Sequence, residues 1–215
     1  MLDSGAFWAV VTVFLPVLKP PYFAVVNRVL GAISDPLGDP RSYGTYKYVA
    51  FVSGLAGAYL LAVRPEIAVP SAPVAATAFV GGIGLYAVDN ALWRAIAAPD
   101  SGGTRLALVW PTLVGGAAEE LLYRGALAAA IGTQGLAGAT FLAVSAVAFG
   151  ANHFPLGSHE VAFKTFDGAV YAVCLLATGS ILAPVAAHVG YNVGFVCWTS
   201  EIRDRVAAVA GQMGA

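Results

Sequence analysis

Three short clusters of polar side chains interrupt long apolar stretches, and they hold the residue types that hydrolytic sites use. The first lies in GGAAEELLYRGAL, where Glu119, Glu120 and Arg124 stand among Gly, Ala and Leu. The second is Phe149-Gly150-Ala151-Asn152-His153, and the third is His188-Val189-Gly190-Tyr191-Asn192. Ionisable groups at membrane depth are costly to desolvate, so each is a candidate for function.

Helix geometry separates the two adjacent acids. Successive residues point about 100° apart, so Glu119 and Glu120 face different ways. Arg124 is four residues after Glu120 and lies over it, but it points away from Glu119. Arg124 is therefore expected to neutralise Glu120. Glu119 is left without an intrahelical partner, on a face it shares with Tyr123. A carboxylate withdrawn from water and left unpaired is a stronger base, which suits proton transfer near neutral pH. The plainer alternative is a solvated helix end, and the apolar run that follows weighs against it.

Phe149 and His153 share a helix face, as do His188 and Asn192. Pro184, one turn before His188, frees the carbonyl of Ser180. Taken singly, a histidine at a helix end is more often structural, and a His/Asn pair can be a packing hydrogen bond between helices. The conjunction of all three clusters favours a site. The remaining histidine, His159, falls in the predicted loop 155–160 and is expected to be solvated. Asp89 and Asn90 read as a helix-end cap or as partners of Arg94, and Asp167 as a similar structural acid.

The elements that must position these residues are membrane helices. Of 215 residues, 59% are hydrophobic and 11% charged, and the mean hydropathy is +0.76. A soluble domain carries about 25% charged residues. A net charge of -1 provides no basic surface for nucleic acid. Cys174 and Cys197 lie in apolar runs without paired spacing and are expected to be buried thiols. The start, MLDSGAFWAV, has an acid where a signal peptide would have Lys or Arg, so it reads as retained.

A span needs roughly 20 apolar residues. This predicts spans at 46–63, 72–97, 105–131, 135–151, 161–178 and 181–199. Residues 5–18 are apolar but short, Lys19-Pro20-Pro21 follows, and 22–33 is apolar again; together they read as one span plus a broken or interfacial segment, or as two spans. The expected fold is all-α: a polytopic transmembrane helical bundle of about seven (7–8) spans. It forms a single membrane domain over 1–215, with N-terminal spans in 1–100 and a motif-bearing core over 104–199. Breakers mark the connections at 34–42, 64–66 and 99–103. Ser53, Gly54 and Gly57, and Ala146 with Gly150, are candidates for close helix approach.

With seven spans the basic residues sort by side. Lys19, Arg28, Arg41, Lys47, Arg94, Arg105, Lys164, Arg203 and Arg205 fall on one side, and Arg64 alone falls on the other. The basic side is expected to be cytoplasmic, with the C-terminus inside and the N-terminus outside.

The three motifs, each on its own helix and in this order, resemble those of the CPBP group of intramembrane proteases. That group includes the type II CAAX prenyl endopeptidases and the bacteriocin-processing (Abi) proteins. The resemblance covers about 109–198; the first 100 residues match only in being membrane spans. It implies hydrolysis of a peptide bond in a membrane-associated protein or peptide, a prenylated CAAX-type protein among the options. By the same resemblance, Glu119 and His153 would activate a water, and His188 and Asn192 would stabilise the oxyanion. Glu120 and Arg124 would hold the site, with Tyr123 and Phe149 in support.

Members of the group are often labelled metalloproteases. Glu119, His153 and His188 would make a three-ligand zinc site with water in the fourth position. The chain has no His-Glu-x-x-His, however, and a water activated by glutamate needs no metal. Two other functions fit the buried groups: a non-proteolytic scaffold or immunity protein of the same family, and a small proton-coupled transporter using Glu and His as a relay. A transporter would usually show inverted repeats with paired broken helices, and the sequence shows none.

Overall fold

A computed structural model describes residues 4–30, 40–96 and 108–198. The predicted span ends at 31–33, 97, 105–107 and 199 lie outside these residues, as do the connections at 34–39 and 99–103 and Arg105, Arg203 and Arg205. Among the described residues the structure is all-helical.

Helix α1 (Ser4–Val13) and helix α2 (Leu15–Leu30) meet at a bend of 75°. The break falls at Phe14, just before Pro16, not at Lys19-Pro20-Pro21 as the sequence suggested. Both of those prolines lie inside α2. Helix α3 (Pro40–Val63) and helix α4 (Ala72–Ile96) are long and apolar. The first motif helix begins as α5 (Val109–Glu120), widens into a π-helical turn over Leu121–Ala126, and resumes as α6 (Leu127–Ile131). Helix α7 (Gly135–Ala151), a 3-10 turn at Phe154–Leu156, α8 (Ser158–Thr178) and α9 (Leu182–Trp198) complete the described chain.

By length and composition, three helices can cross a membrane, at 44–63, 72–95 and 158–178. The bent pair α1–α2 would be a fourth. The all-α membrane-type fold therefore stands, whereas seven full-length spans do not follow from helix length. Helices α7 and α9 have 17 residues each, or roughly 25 Å at 1.5 Å per residue. A bilayer core is about 30 Å thick.

Small residues set the packing. The most extensive helix contact is α4 against α9. A methyl group at Gly82 would overlap the carbonyl of Ala187, and one at Gly190 would overlap that of Phe79. The α7–α8 contact is built likewise: Gly150 faces Thr165 and Val161, and Gly168 faces Ala146. Ala146 and Gly150 thus pack as anticipated. Gly54 and Gly57 do not, because open space lies beside both. Pro184 cannot bond back to Ser180, whose carbonyl instead accepts the N–H of Ala183 at 3.2 Å. Cys174 is half-buried and Cys197 exposed, so the expectation of two buried thiols is corrected; both are free.

Candidate functional site

The first motif is buried, not a solvated helix end: Glu119 is 5% exposed, and Glu120 and Arg124 are 0% exposed. Arg124 Nη1 lies 3.0 Å from Glu120 Oε1, the pair expected from the i,i+4 spacing. Its Nη2 donates to the carbonyl of Gly168 on α8 at 2.8 Å. The guanidinium also lies over the rings of Phe149, at 4.6 Å, and Tyr171, at 5.2 Å. Such stacking suits a planar, weakly hydrated cation. Arg124 and Tyr123 both belong to the π turn. There Ser145 donates to the carbonyl of Tyr123 at 2.9 Å, tying α7 to the widened segment. π turns concentrate at functional sites.

Helix α9 brings His188 and Asn192 against α5. Gly116 makes the approach possible, since a Cβ there would stand 2.5 Å from Asn192 Nδ2 and 3.1 Å from His188 Cδ2. His188 Nδ1 is 2.8 Å from Glu120 Oε1. Facing a carboxylate, that nitrogen is the one that donates. The other ring nitrogen, Nε2, stands 3.8 Å from Glu119 Oε2. Tyr171 stacks on the imidazole, 4.9 Å between centroids and 16° between planes, and fixes its tilt. Asn192 Nδ2 donates to the carbonyl of Thr112 at 3.0 Å, which leaves its second N–H uncommitted to that bond.

His153 follows the C-terminal end of α7. Its Nδ1 is 2.9 Å from the Phe149 carbonyl, so Nδ1 carries the hydrogen and Nε2 holds the lone pair in the neutral ring. Phe149 packs edge-on against both His153 and His188, and Tyr123 packs edge-on against Phe149. Glu119, Phe149, His153, His188 and Asn192 all line one cavity of about 730 Å³. The structure thus brings every catalytic candidate from the sequence to a common wall. Tyr123, Glu120 and Arg124 lie behind it, fully buried.

Two partners of Glu119, and a lysine that braces them, were not singled out as site residues by sequence. Tyr48, from α3, donates its hydroxyl to Glu119 Oε1. Asn152 donates to the same oxygen at 3.3 Å and to the Tyr48 hydroxyl at 2.6 Å. Lys19 reaches in from α2, bonds the carbonyl of Asn152 and lies over the Tyr48 ring. Counted by sequence as a basic loop residue, Lys19 is instead buried. Asn152 had a visible signal as the neighbour of His153. Tyr48 had none, because an aromatic near the end of an apolar helix is ordinary.

Two further readings change. Asn90, not Asp89, takes Arg94, at 3.4 Å. Asp89 accepts from Tyr191 at 2.9 Å, and Asp167 pairs with Lys164 at 2.6 Å. His159 is exposed as expected, but on α8 instead of in a loop, with its ring against Trp93.

The zinc alternative does not fit. Among the described residues, no group of three His, Cys, Asp or Glu side chains is arranged to hold a metal ion.

Fold and site together define a helical membrane protein with a carboxylate–histidine–amide centre buried between its helices. Residues 101–194 match the family described as type II CAAX prenyl endopeptidase Rce1-like. The match takes in all three motifs, covers less than half of the chain, and supports its assignment to the CPBP/CAAX protease family. No curated protein and no solved structure matches the chain.

Proposed function

We propose that this chain is an intramembrane endopeptidase that hydrolyses a peptide bond of a membrane-associated protein, with a prenylated CAAX-type protein as one candidate substrate. The observation that carries this reading is the facing pair Glu119 Oε2 and His188 Nε2, 3.8 Å apart, on the cavity that His153 and Asn192 also line.

Glu119 presents a free edge to the cavity. Its Oε1 is held by Tyr48 and Asn152, and among the described residues no hydrogen bond is made to Oε2. That oxygen takes a proton from water as the water attacks the carbonyl carbon. His153 Nε2 accepts the water's other hydrogen and orients it. As the carbonyl oxygen gains charge, the second Asn192 N–H donates to it, and so does the Nε2–H of His188, which in this step is doubly protonated and faces the Glu120 carboxylate through Nδ1. Glu120 anchors His188 from behind through Nδ1, and Arg124 balances Glu120. Collapse of the tetrahedral intermediate breaks the C–N bond, and the Glu119 proton leaves with the amine. A positioned base contributes about 10²–10⁴ in rate. An oxyanion donor contributes about 10²–10³.

The basic residues support an orientation. Lys47 donates to Asn27 at 2.6 Å, joining α3 to α2, Trp93 packs on Phe163, joining α4 to α8, and Thr45 and Tyr48 of α3 line the same cavity as Trp93 and Phe163, so these basic ends lie around one cavity. Arg94 and Lys164 line the cavity. The cavity then opens toward the cytoplasmic side, with further crossings, up to seven, completed by the shorter helices.

Proteomic comparison of membrane-peptide termini in cells carrying wild-type or Glu119→Ala protein tests the function. A set of cleaved termini is expected to vanish in the variant. If the same termini persist, the protease reading falls.

A further inference from the structure

We infer that Lys19 is a positioning residue for Glu119, its ammonium supplying the fixed positive charge that answers this carboxylate across Tyr48 and Asn152. The inference rests on the endopeptidase reading, in which Glu119 is the base, and names the group that holds that base ready.

Lys19 stands where helix packing calls for an apolar residue. On α2, Leu15, Lys19 and Tyr22 follow at the i, i+4 and i+7 spacing of a single helix face. Leu15 belongs to the buried core, and Tyr22 stacks on Phe51 of α3, 4.5 Å between ring centroids. Lys19, between them, is 9% exposed, whereas Val17 on the opposite face is exposed. A charge taken out of water is costly unless it is paired and hydrogen-bonded. Among the described residues, the ammonium makes one hydrogen bond, to the carbonyl of Asn152, and no direct ion pair.

Both contacts of the ammonium lead to Glu119. Asn152, whose carbonyl it bonds, turns its own side chain to Glu119 Oε1 at 3.3 Å and to the Tyr48 hydroxyl at 2.6 Å. The Tyr48 ring carries the ammonium on its face, 5.2 Å from the centroid, and its hydroxyl donates to the same Oε1. The carboxylate that attracts Lys19 is that of Glu119. Glu120 is already answered by Arg124 at 3.0 Å. His188 also faces Glu119, through Nε2, but the charge of an imidazole comes and goes with its proton. Lys19 takes no part in those transfers. An opposite charge nearby favours the ionised form of a carboxyl, and only that form can take a proton from water. The network thus engages Oε1 and leaves Oε2 to the cavity.

Labelling of the full-length protein in lipid nanodiscs with dicyclohexylcarbodiimide tests this without turnover. The reagent is apolar and modifies protonated carboxyls, and Glu119 borders the cavity. Mass spectrometry reads the adduct, and Glu119→Gln gives the blank that separates Glu119 from Glu120. At neutral pH, Lys19→Met is expected to raise the labelling of Glu119 about tenfold over wild type. Lys19→Arg keeps the charge and should label like wild type. Lys19→Gln keeps a donor for the Asn152 carbonyl without the charge and should label like Lys19→Met. Equal labelling of wild type and Lys19→Met, wild-type labelling of Lys19→Gln, or raised labelling of Lys19→Arg would overturn the inference. Should Lys19→Met fail to fold, the comparison of Lys19→Gln with Lys19→Arg decides. Failure of the wild-type protein to cleave membrane peptides would count against the endopeptidase reading and not against this labelling result.

Discussion

At the scale of single residues, the two adjacent glutamates divide their work by partner. Glu120 shares a fully buried pocket with Arg124 and holds His188. Removing one partner of a buried ion pair costs about 3–5 kcal/mol, because the other charge is left uncompensated. Glu120→Gln should therefore lower the thermal unfolding temperature in detergent as well as activity, whereas Glu119→Gln should abolish activity with little change in melting. A Glu120→Gln protein that melts like wild type would show that its role is chemical and not architectural. Tyr48 is a positioning residue, since it acts through Glu119. For Tyr48→Phe, kcat is expected to fall about tenfold with KM nearly unchanged, the pattern of an interaction that matters in the transition state. A rise in KM with kcat intact would place Tyr48 in substrate binding instead.

Elements decide whether those side chains meet. The α5–α9 contact depends on Gly116, where a Cβ would displace the Asn192 amide. Gly116→Ala is expected to reduce turnover by about 10²-fold, equivalent to losing one oxyanion donor, while secondary structure by circular dichroism and melting stay close to wild type. Gly190→Ala at the α4–α9 contact should behave differently. Its new methyl would meet backbone at Phe79 and not a movable side chain, so it should destabilise the protein by about 1–3 kcal/mol, as overpacking does. Thermal unfolding of the two variants side by side separates the cases. If Gly116→Ala retains full turnover, Asn192 is not an oxyanion donor.

For the whole molecule, the testable property is which side of the membrane the cavity faces. In a variant lacking the native cysteines, Glu160→Cys should react with an impermeant thiol reagent from the cytoplasmic side. Glu66→Cys, beside Arg64 at the other end of α3, should react from the opposite side. Labelling of both from one side would invalidate the proposed orientation. Helix length alone does not count the crossings, because a 17-residue helix such as α7 sits at the lower limit for a span.

Much of the site is legible in the amino-acid sequence, for local reasons. The Glu120–Arg124 pair is an i,i+4 relation within one helix. His188 and Asn192 share a face by the same rule, and charge among apolar residues marks all three clusters as costly to bury. Cross-helix partners are not legible. Tyr48 from α3 and Asn152 from the turn after α7 bond Glu119, Lys19 from α2 braces both, and periodicity carries no information about which helix faces which. Asp89 and Arg94 look like partners because they are close in sequence, but packing of α4 on α9 gives Asp89 to Tyr191. The bend at Phe14, and the useful glycines at 82, 116 and 190 as against 54 and 57, likewise depend on neighbours. Hydropathy and helical period act along one chain segment, so the sequence alone determined the membrane-helical character, the polar motifs and the unequal glutamates. Burial, hydrogen bonds and close approach act between segments, so only the tertiary structure decided that Glu119 meets His188, and what surrounds them.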